Sequence, residues 1–220
     1  MHSNPDIYIR PAVFTDAYAM SLIAAHLPHT NTWLRCYNLF MPSTDTRCYA
    51  QRIQTHLLNP RSLSFAAVLA SAPEEMVGYA LCSRLGNDDK ALAYINSTST
   101  LYFMFFGWIW GLWLRFVNWV LREGREDVEA ESWSPHCERW YVKSVVVRQG
   151  WRRKGIGTQL MGMVLNKAAA EGVPVTLEAT ERGEKLYTKL GFEVIERLEV
   201  GDGKEGGALM LWCCAEAGQG

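Results

Sequence analysis

Hydrophobic positions recur along the chain with two periods, and the period changes from one segment to the next. Alternating apolar residues indicate strands, whereas apolar residues three and four positions apart indicate amphipathic helices. The pattern predicts strands at residues 7–12, 64–70, 76–82, 139–147, 175–179, 192–198 and 208–214, and helices at residues 15–27, 45–58, 157–171 and 182–190. Short turns rich in glycine and proline separate these segments, so no linker or second domain is predicted.

One segment departs from both periods. Residues 101–114 read LYFMFFGWIWGLWL without a charged residue, and four of the nine tryptophans lie between residues 108 and 119. Its length and hydropathy resemble a transmembrane helix, but the strands on either side are expected in one sheet, and Arg115 and Asn118 are costly within a bilayer. We therefore predict an aromatic-rich helical insertion at about residues 96–135. Four interpretations of residues 101–121 stay open: a core helix, a dimer contact, a membrane-surface element, or a lid over a hydrophobic acceptor pocket.

Composition excludes several classes of protein. A chain of 220 residues suits a single domain spanning residues 1–220, and a net charge of −1 argues against nucleic acid as the main partner. The six cysteines include no C-x-x-C pair and no histidine at metal-ligand spacing, which predicts reduced thiols and no metal site. The segment MHSNPDIYIR lacks the apolar core of a signal peptide, so a cytoplasmic location is expected.

The sequence VVVRQGWRRKGIGTQL, residues 145–160, carries the strongest functional signal. A β-branched run predicts a buried strand, and apolar residues at helical spacing predict a helix from Gly157. Between them, a basic turn would present backbone N–H groups and the positive end of a helix dipole to an anion. The segment therefore predicts a pyrophosphate cradle, although its glycine spacing matches neither a Walker loop nor a dinucleotide fingerprint.

The spacing Arg152-x-x-Gly155-x-Gly157 resembles the acetyl-CoA loop of the GNAT family, the Gcn5-related N-acetyltransferases. The similarity extends to Val147, Ile156 and Leu160. Downstream, VTLEAT (residues 175–180) and LYTKLGFEV (residues 186–194) resemble the strand, helix and L-Y-x-x-x-G-F ending of the same family, in the same order. The resemblance covers residues 141–194 and implies an α+β, mixed-sheet GNAT acyl-CoA N-acyltransferase fold, in which helices flank a central, mostly antiparallel sheet.

The resemblance also implies a site for acetyl-CoA as co-substrate. Backbone groups of Val145 and Val147 would pair with the pantetheine arm, the Val146 or Val147 amide would stabilise the oxyanion, and Tyr187 would protonate the leaving thiolate. Thr180 stands where many members carry an asparagine that contacts the cofactor, but it also suits a helix N-cap. The cofactor-binding residues so implied are Val145, Val146, Val147, Arg152, Arg153, Lys154, Gly155, Ile156, Gly157, Thr158 and Thr180.

The general base is less well defined. Tyr141 stands where histone-acetylating relatives carry a glutamate on the cofactor strand. Glu178 alternates with Leu177 and Ala179 and is the candidate that we favour, with Glu138 and His136 acting through a water as alternatives. Tyr187 and Glu178 are therefore the predicted catalytic residues. In the structural alternative, Tyr187 is a packed aromatic residue and Glu178 is a buried, hydrogen-bonded carboxylate, and neither takes part in catalysis.

These features predict an acetyl-CoA-dependent N-acetyltransferase that transfers acetyl directly to the amine of a small or hydrophobic acceptor. One alternative is a protein or peptide N-acetyltransferase. Another is a non-catalytic acyl-CoA-binding module that docks through residues 101–121, on a membrane surface or a partner. No obligate protein partner is predicted.

Overall fold

The computed structural model describes residues 7–25, 46–95, 138–200 and 204–213. Its strands are β1 (Ile7–Pro11), β2 (Ser62–Leu69), β3 (Ala72–Leu85), β4 (Arg139–Val147), β5 (Val175–Ala179), β6 (Glu193–Val200) and β7 (Lys204–Trp212). Its α-helices are α1 (Ala17–Ala25), α2 (Thr46–Leu58), α3 (Asp89–Ile95), α4 (Ile156–Glu171) and α5 (Glu181–Lys189), with short 3₁₀ helices at Phe14–Asp16 and Gln149–Trp151. The predicted insertion at 96–135 lies wholly outside the described residues.

The strands form one seven-stranded sheet in the order β1-β2-β3-β4-β5-β7-β6. Every neighbouring pair is antiparallel except β4 and β5, which run parallel. A parallel pair needs a crossover connection, and α4 supplies it. The sheet is therefore mixed and mostly antiparallel, which confirms the predicted fold class.

The two faces of the sheet carry separate cores. On one face, here called the α4 face, α4 and α5 pack over a large cluster that includes Trp140, Leu160, Leu177 and Met210. On the other, the α1 face, α1 and α2 pack over a cluster that includes Tyr79, Leu81 and Val146. Because side chains alternate along a strand, membership of these clusters shows which way each residue of β3, β4 and β5 points.

A bidentate ion pair fixes the start of α1. The Arg10 guanidinium donates to both carboxylate oxygens of Asp16 at 2.6 and 2.8 Å, and the Val13 N–H donates to Asp16 Oδ2 at 2.8 Å. Burial alone raises the pKa of Asp16, but the hydrogen bonds from Arg10 and Val13 outweigh it and hold that pKa below its usual value. The ionised pair therefore stabilises the fold at neutral pH, and this contribution is lost as the pH falls through the folded-state pKa of Asp16.

A buried ion-pair network anchors the C-terminal end of α4 to the sheet. Arg84 on β3 is 1% exposed, and its Nε donates to Glu171 Oε2 at 3.0 Å. Its Nη2 donates to Asp88 Oδ2 at 2.7 Å. The indole N–H of Trp140 also donates to Glu171 Oε2, at 3.3 Å. The far end of α4 is thereby held, while its N-terminal end faces the ends of β4 and β5.

Several element boundaries differ from those predicted. β3 extends from Ala72 to Leu85, well beyond the predicted 76–82, because its charged ends alternate less clearly than its centre but still pair with β2 and β4. α3 was not predicted, and α4 begins at Ile156, one residue before the predicted start. Among the described ranges, no helix is long and apolar enough to cross a membrane.

Candidate acetyl-CoA and acceptor site

The parallel strands β4 and β5 pair along only part of their length. Trp140 pairs with Val175, Tyr141 with Thr176 and Val142 with Leu177, and no pair follows between the two strands. β4 nevertheless continues to Val147 and β5 to Ala179. Beyond these three pairs the strands therefore separate, and a gap with unpaired backbone opens in the middle of the sheet. We call it the β4–β5 gap.

A β-bulge marks the start of this gap. Leu81 pairs with Ser144 and Cys82 with Val142, so Lys143 is an extra residue in β4 without a partner in β3. A bulge bends a strand and increases its local twist. The bend lies directly after the last β4–β5 pair, which explains why β4 leaves β5 at that point.

The bulge also decides which backbone groups face the gap. The Arg148 N–H donates to the Val77 carbonyl of β3 at 2.9 Å. Because backbone groups alternate in direction along a strand, the N–H and C=O groups of Val146 also point towards β3. The N–H and C=O groups of Val145 and Val147 point towards the gap. The predicted pairing of Val145 and Val147 with an extended ligand fits this geometry. Of the two predicted oxyanion donors, the geometry favours the Val147 amide.

The turn after β4 leads the chain into the N-terminus of α4 through left-handed backbone. Arg153 has φ +62° and Gly155, the N-cap, has φ +80° with open space where a Cβ would stand. Gln159 N–H donates to the Gly155 carbonyl at 3.0 Å, and glycine has no side chain with which to cap the amides of Ile156, Gly157 and Thr158. The amides that begin α4 therefore have no side-chain cap, an arrangement that suits an anion.

The basic side chains of the turn have different neighbours. Arg152 Nε donates to the Val147 carbonyl at 3.0 Å, so its guanidinium bridges the turn to the last residue of β4. Lys154 Nζ lies 4.4 Å from the centre of the Trp151 ring, a cation–π distance. Arg152, Arg153 and Lys154 are all exposed. They surround the free amides with positive charge.

Tyr187 lies on α5 and packs in the core of the α4 face. Its ring meets Phe192 edge-on, with centroids 5.7 Å apart, and the residue is 9% exposed. Burial, with a smaller contribution from Cys82, raises the pKa of Tyr187. No hydrogen bond between described residues involves its hydroxyl. The phenol therefore keeps its proton at neutral pH and has it free to donate.

Thr180 is the N-cap of α5. Its hydroxyl oxygen accepts a hydrogen bond from the Gly183 N–H at 3.2 Å, as the N-cap alternative predicts. A Cβ on Gly183 would stand 3.3 Å from both the Thr180 hydroxyl and the Tyr187 ring. Gly183 therefore lets Thr180 and Tyr187 lie close together at the end of β5.

Glu178 projects to the α1 face, the side opposite α4 and Tyr187. Leu177 and Ala179 belong to the core of the α4 face, so Glu178 points the other way, half-buried beside Leu209 of β7. Thr176 shares this face. It was not identified from the sequence as a site residue because it lies within an apolar run. Its two-residue spacing from Glu178 would have placed it on the same face of β5.

The other candidate bases are less well placed. Glu138 is exposed before β4 begins, and His136 lies outside the described residues. Tyr141 lies on the α1 face next to Thr176. His56, to which the sequence assigned no role, has a neutral imidazole at physiological pH because burial and the nearby charge of Lys143 lower its pKa to about 3.

The comparisons with known proteins agree with this geometry. Residues 115–194 match the family model described as acetyltransferase (GNAT) domain. The chain is similar to a Corynebacterium glutamicum structure described as histone acetyltransferase HPA2 and related acetyltransferase, at 18% identity and TM-score 0.59 over 93% of this chain and 94% of that chain. It is also similar to YncA from Salmonella typhimurium, solved with its cofactor acetyl-CoA, at 15% identity and TM-score 0.56 over 97% and 96% of the two chains.

A third similar structure is the PaiA N-acetyltransferase from Thermoplasma acidophilum in complex with coenzyme A, at 13% identity and TM-score 0.51 over 94% of this chain and 99% of that chain. The gap between β4 and β5, the uncapped start of α4 and the match to the domain model lead to one assignment. Residues 115–194 are assigned to the GNAT acetyltransferase domain, and the chain shares the fold of solved acetyltransferases, one of which was solved with acetyl-CoA.

Proposed function

We propose that the protein transfers an acetyl group from acetyl-CoA directly to the amine of a small acceptor. The observation that carries the proposal is the β4–β5 gap. The uncapped start of α4 lies on one face of the sheet at this gap, and the Glu178 carboxylate lies on the opposite face. A thioester lying in the gap would have its pyrophosphate at the amides of residues 156–158. Its acetyl carbon would lie between Tyr187 on the α4 face and Glu178 on the α1 face.

The chain would contribute to the co-substrate site mainly through backbone. The outward N–H and C=O groups of Val145 and Val147 would pair with the amides of the pantetheine arm, much as an added strand pairs with a sheet edge. The Val147 carbonyl is now held by Arg152, so Arg152 would release it when its guanidinium turns to the pyrophosphate. Fixed N–H donors of this kind also stabilise developing negative charge without reorganisation.

The reaction then needs three proton transfers. The acceptor ammonium gives a proton to Glu178, and the nitrogen lone pair forms the new C–N bond to the acetyl carbon. The C–S bond breaks with its electron pair on sulfur, which takes the Tyr187 proton. The nitrogen's remaining excess proton returns to the phenolate, so each turnover yields the acetylated amine, CoA thiol and one proton. Burial raises the pKa of the nearby Cys82 thiol too, and in the same surroundings a departing thiolate would take a proton readily.

A thiol-release assay with acetyl-CoA and a panel of amines tests this function. We expect acetyl-CoA-dependent release of free thiol that saturates with at least one amine, and a product that is heavier by one acetyl group in mass spectrometry. Peptides with free amines form a second arm, which separates small acceptors from protein acceptors. Binding of acetyl-CoA without turnover on any amine or peptide would instead favour the non-catalytic acyl-CoA-binding alternative.

A further inference from the structure

We propose that the last turn of α2 is released from the sheet in mild acid, when the imidazole of His56 takes up a proton. The proposal goes beyond acetyl transfer, because it concerns how the fold responds to pH. Its starting point is the set of groups that surround this one side chain, between α2 and the strands β2, β3 and β4.

His56 joins the end of α2 to the start of β2. It lies in the last turn of the helix, and its Nδ1 lies 3.2 Å from the hydroxyl oxygen of Ser62, the first residue of β2. The Asn59 N–H donates to the His56 carbonyl at 3.0 Å, and the Ser62 N–H donates to the Asn59 carbonyl at 2.9 Å. The imidazole is therefore fixed where the helix ends and the strand begins.

The other ring nitrogen lacks a group that would stabilise a proton. Nε2 of His56 is buried and has no hydrogen-bond partner among the described residues. A neutral ring can donate Nδ1–H to Ser62 and leave Nε2 unprotonated, whereas an imidazolium is a donor at both nitrogens. Protonation would therefore place a charged N–H without a partner in a buried position, which is unfavourable.

A positive charge lies close to the same ring. Lys143, the extra residue of the β4 bulge, acts on His56 from the sheet. Burial is the larger cause and this charge the smaller one that together lower the pKa of His56 to about 3, against a weaker opposing effect of the Cys82 backbone. A protonated His56 would thus add a second positive charge beside Lys143.

The other titratable groups of this layer do not compensate that charge. Of the two carboxylates on the α1 face, Asp16 is held by Arg10, and Glu178 lies on β5, one strand beyond Lys143. No ion pair between described residues involves His56. The remaining titratable side chains of α2 and of the strands beneath it are Tyr49, Arg52, Arg61, Tyr79, Arg139 and Tyr141, none of which is an anion at neutral pH.

These surroundings fix the pH range of the response. A histidine whose pKa is lower in the folded protein than in the released chain stabilises the fold fully above about pH 6.5, and this contribution is lost as the pH falls from there to about 3. Between pH 7 and pH 5 the equilibrium constant for releasing His56 should rise about 25-fold. The Asp16–Arg10 pair responds only below the ordinary Asp pKa of 3.8, so the two effects are separable.

The position of His56 connects this release to the proposed acetyl-CoA site. Lys143 is the residue at which β4 bends away from β5 and the β4–β5 gap begins. We therefore expect release of the α2 turn to weaken acetyl-CoA binding in mild acid. This expectation rests on the proposed function, whereas the release itself does not.

Hydrogen exchange of wild type and His56→Gln at pH 7 and pH 5 measures the release. Protection factors, corrected for the intrinsic exchange rate at each pH, should fall about 25-fold at the last turn of α2 in the wild type. Those of α4 should not change. In His56→Gln the α2 factors should change less than about twofold, whatever their value at pH 7. Thr55→Ala, which alters the preceding residue of the same turn and leaves the imidazole in place, is the matched control and should retain the wild-type fall.

An NMR titration of the wild type tests the same point without a variant. The His56 imidazole resonances should stay constant from pH 8 to pH 5, whereas an exposed histidine titrates at about 6.5. Titration of His56 near 6.5, or an equal fall in protection in His56→Gln, would overturn the proposal.

The dissociation constant of acetyl-CoA, measured at both pH values, tests the connection to the site. It should rise more in wild type than in His56→Gln between pH 7 and pH 5. Equal changes in the two proteins would overturn the connection and leave the release of α2 intact. Failure of the wild type to bind acetyl-CoA at either pH would overturn the proposed function and not the release.

Discussion

Replacing Tyr187 with phenylalanine is expected to lower kcat about a hundredfold, the usual contribution of a positioned proton donor. The free energy of unfolding should stay within about 0.5 kcal/mol of wild type, because no described residue is hydrogen-bonded to the hydroxyl. The edge-on contact of the ring with Phe192 needs no hydroxyl either. Loss of activity would therefore be separable from loss of structure.

Initial rates at saturating acetyl-CoA and amine, measured from neutral to alkaline pH, check this expectation. Because burial raises the pKa of Tyr187, the wild-type rate should show no decline from its ionisation near the ordinary value of about 10. Tyr18→Phe, which alters a tyrosine that is 56% exposed on α1, is the matched control. A kcat for Tyr187→Phe within about threefold of wild type at every pH would assign Tyr187 to packing alone.

Replacing Arg84 with methionine is expected to destabilise the protein by about 3–5 kcal/mol, the usual cost of removing one partner of a buried ion pair. Methionine retains much of the aliphatic length but leaves Glu171 without its buried guanidinium and Asp88 without its charge partner. Lys167 Nζ, 3.4 Å from Glu171 Oε1 and on a half-exposed residue, compensates only in part. The C-terminal end of α4 should loosen first.

Urea unfolding followed by circular dichroism measures this change. Arg148→Met is the matched control, since the Arg148–Glu75 pair lies on the surface with side chains 53% and 45% exposed. Exposed pairs contribute about 0–1 kcal/mol, so this variant should unfold close to wild type. Equal destabilisation by the two variants would contradict the structural role of the buried network.

The strand, turn and helix that carry the proposed acetyl-CoA site could be predicted from sequence because their determinants are local. A β-branched run, a basic turn with Gly155 and a helical period lie within residues 145–160, and short-range backbone preferences are sufficient to place strand, turn and helix. The helix start was predicted within one residue. Thr180 caps α5, as the N-cap interpretation predicts, and Tyr187 is buried on the α4 face, whereas the contacts of both residues with the co-substrate stay predictions.

The gap itself could not be predicted in this way. It depends on the bulge at Lys143 and on the register between β4 and β5, which are long-range pairings that sequence periodicity does not encode. For the same reason the sequence left Val146 and Val147 as equal candidates for the oxyanion donor. α3 was missed because Asp89–Ile95 is too short to show a helical period.

We propose that acetyl-CoA lies in the β4–β5 gap, paired with the backbone groups of β4 that face away from β3. Val147→Pro removes a single N–H that faces this gap and leaves the ladder with β3 intact, so the variant should fold. Val146→Pro removes an N–H that faces β3 and should destabilise the protein by about 3 kcal/mol or more. The two variants therefore distinguish the loss of an N–H that faces the ligand from the loss of an N–H that holds the sheet together.

Thermal-shift titration of wild type and Val147→Pro with acetyl-CoA, CoA and ATP is the most direct test. Ligand at about a hundred times its Kd stabilises a protein by roughly 2.7 kcal/mol, which raises the melting temperature by several degrees. We predict such a shift for wild type with both CoA species but not with ATP, and a clearly smaller one for Val147→Pro. No shift with either CoA species at millimolar concentration, or equal shifts in the two proteins, would contradict this placement of the co-substrate.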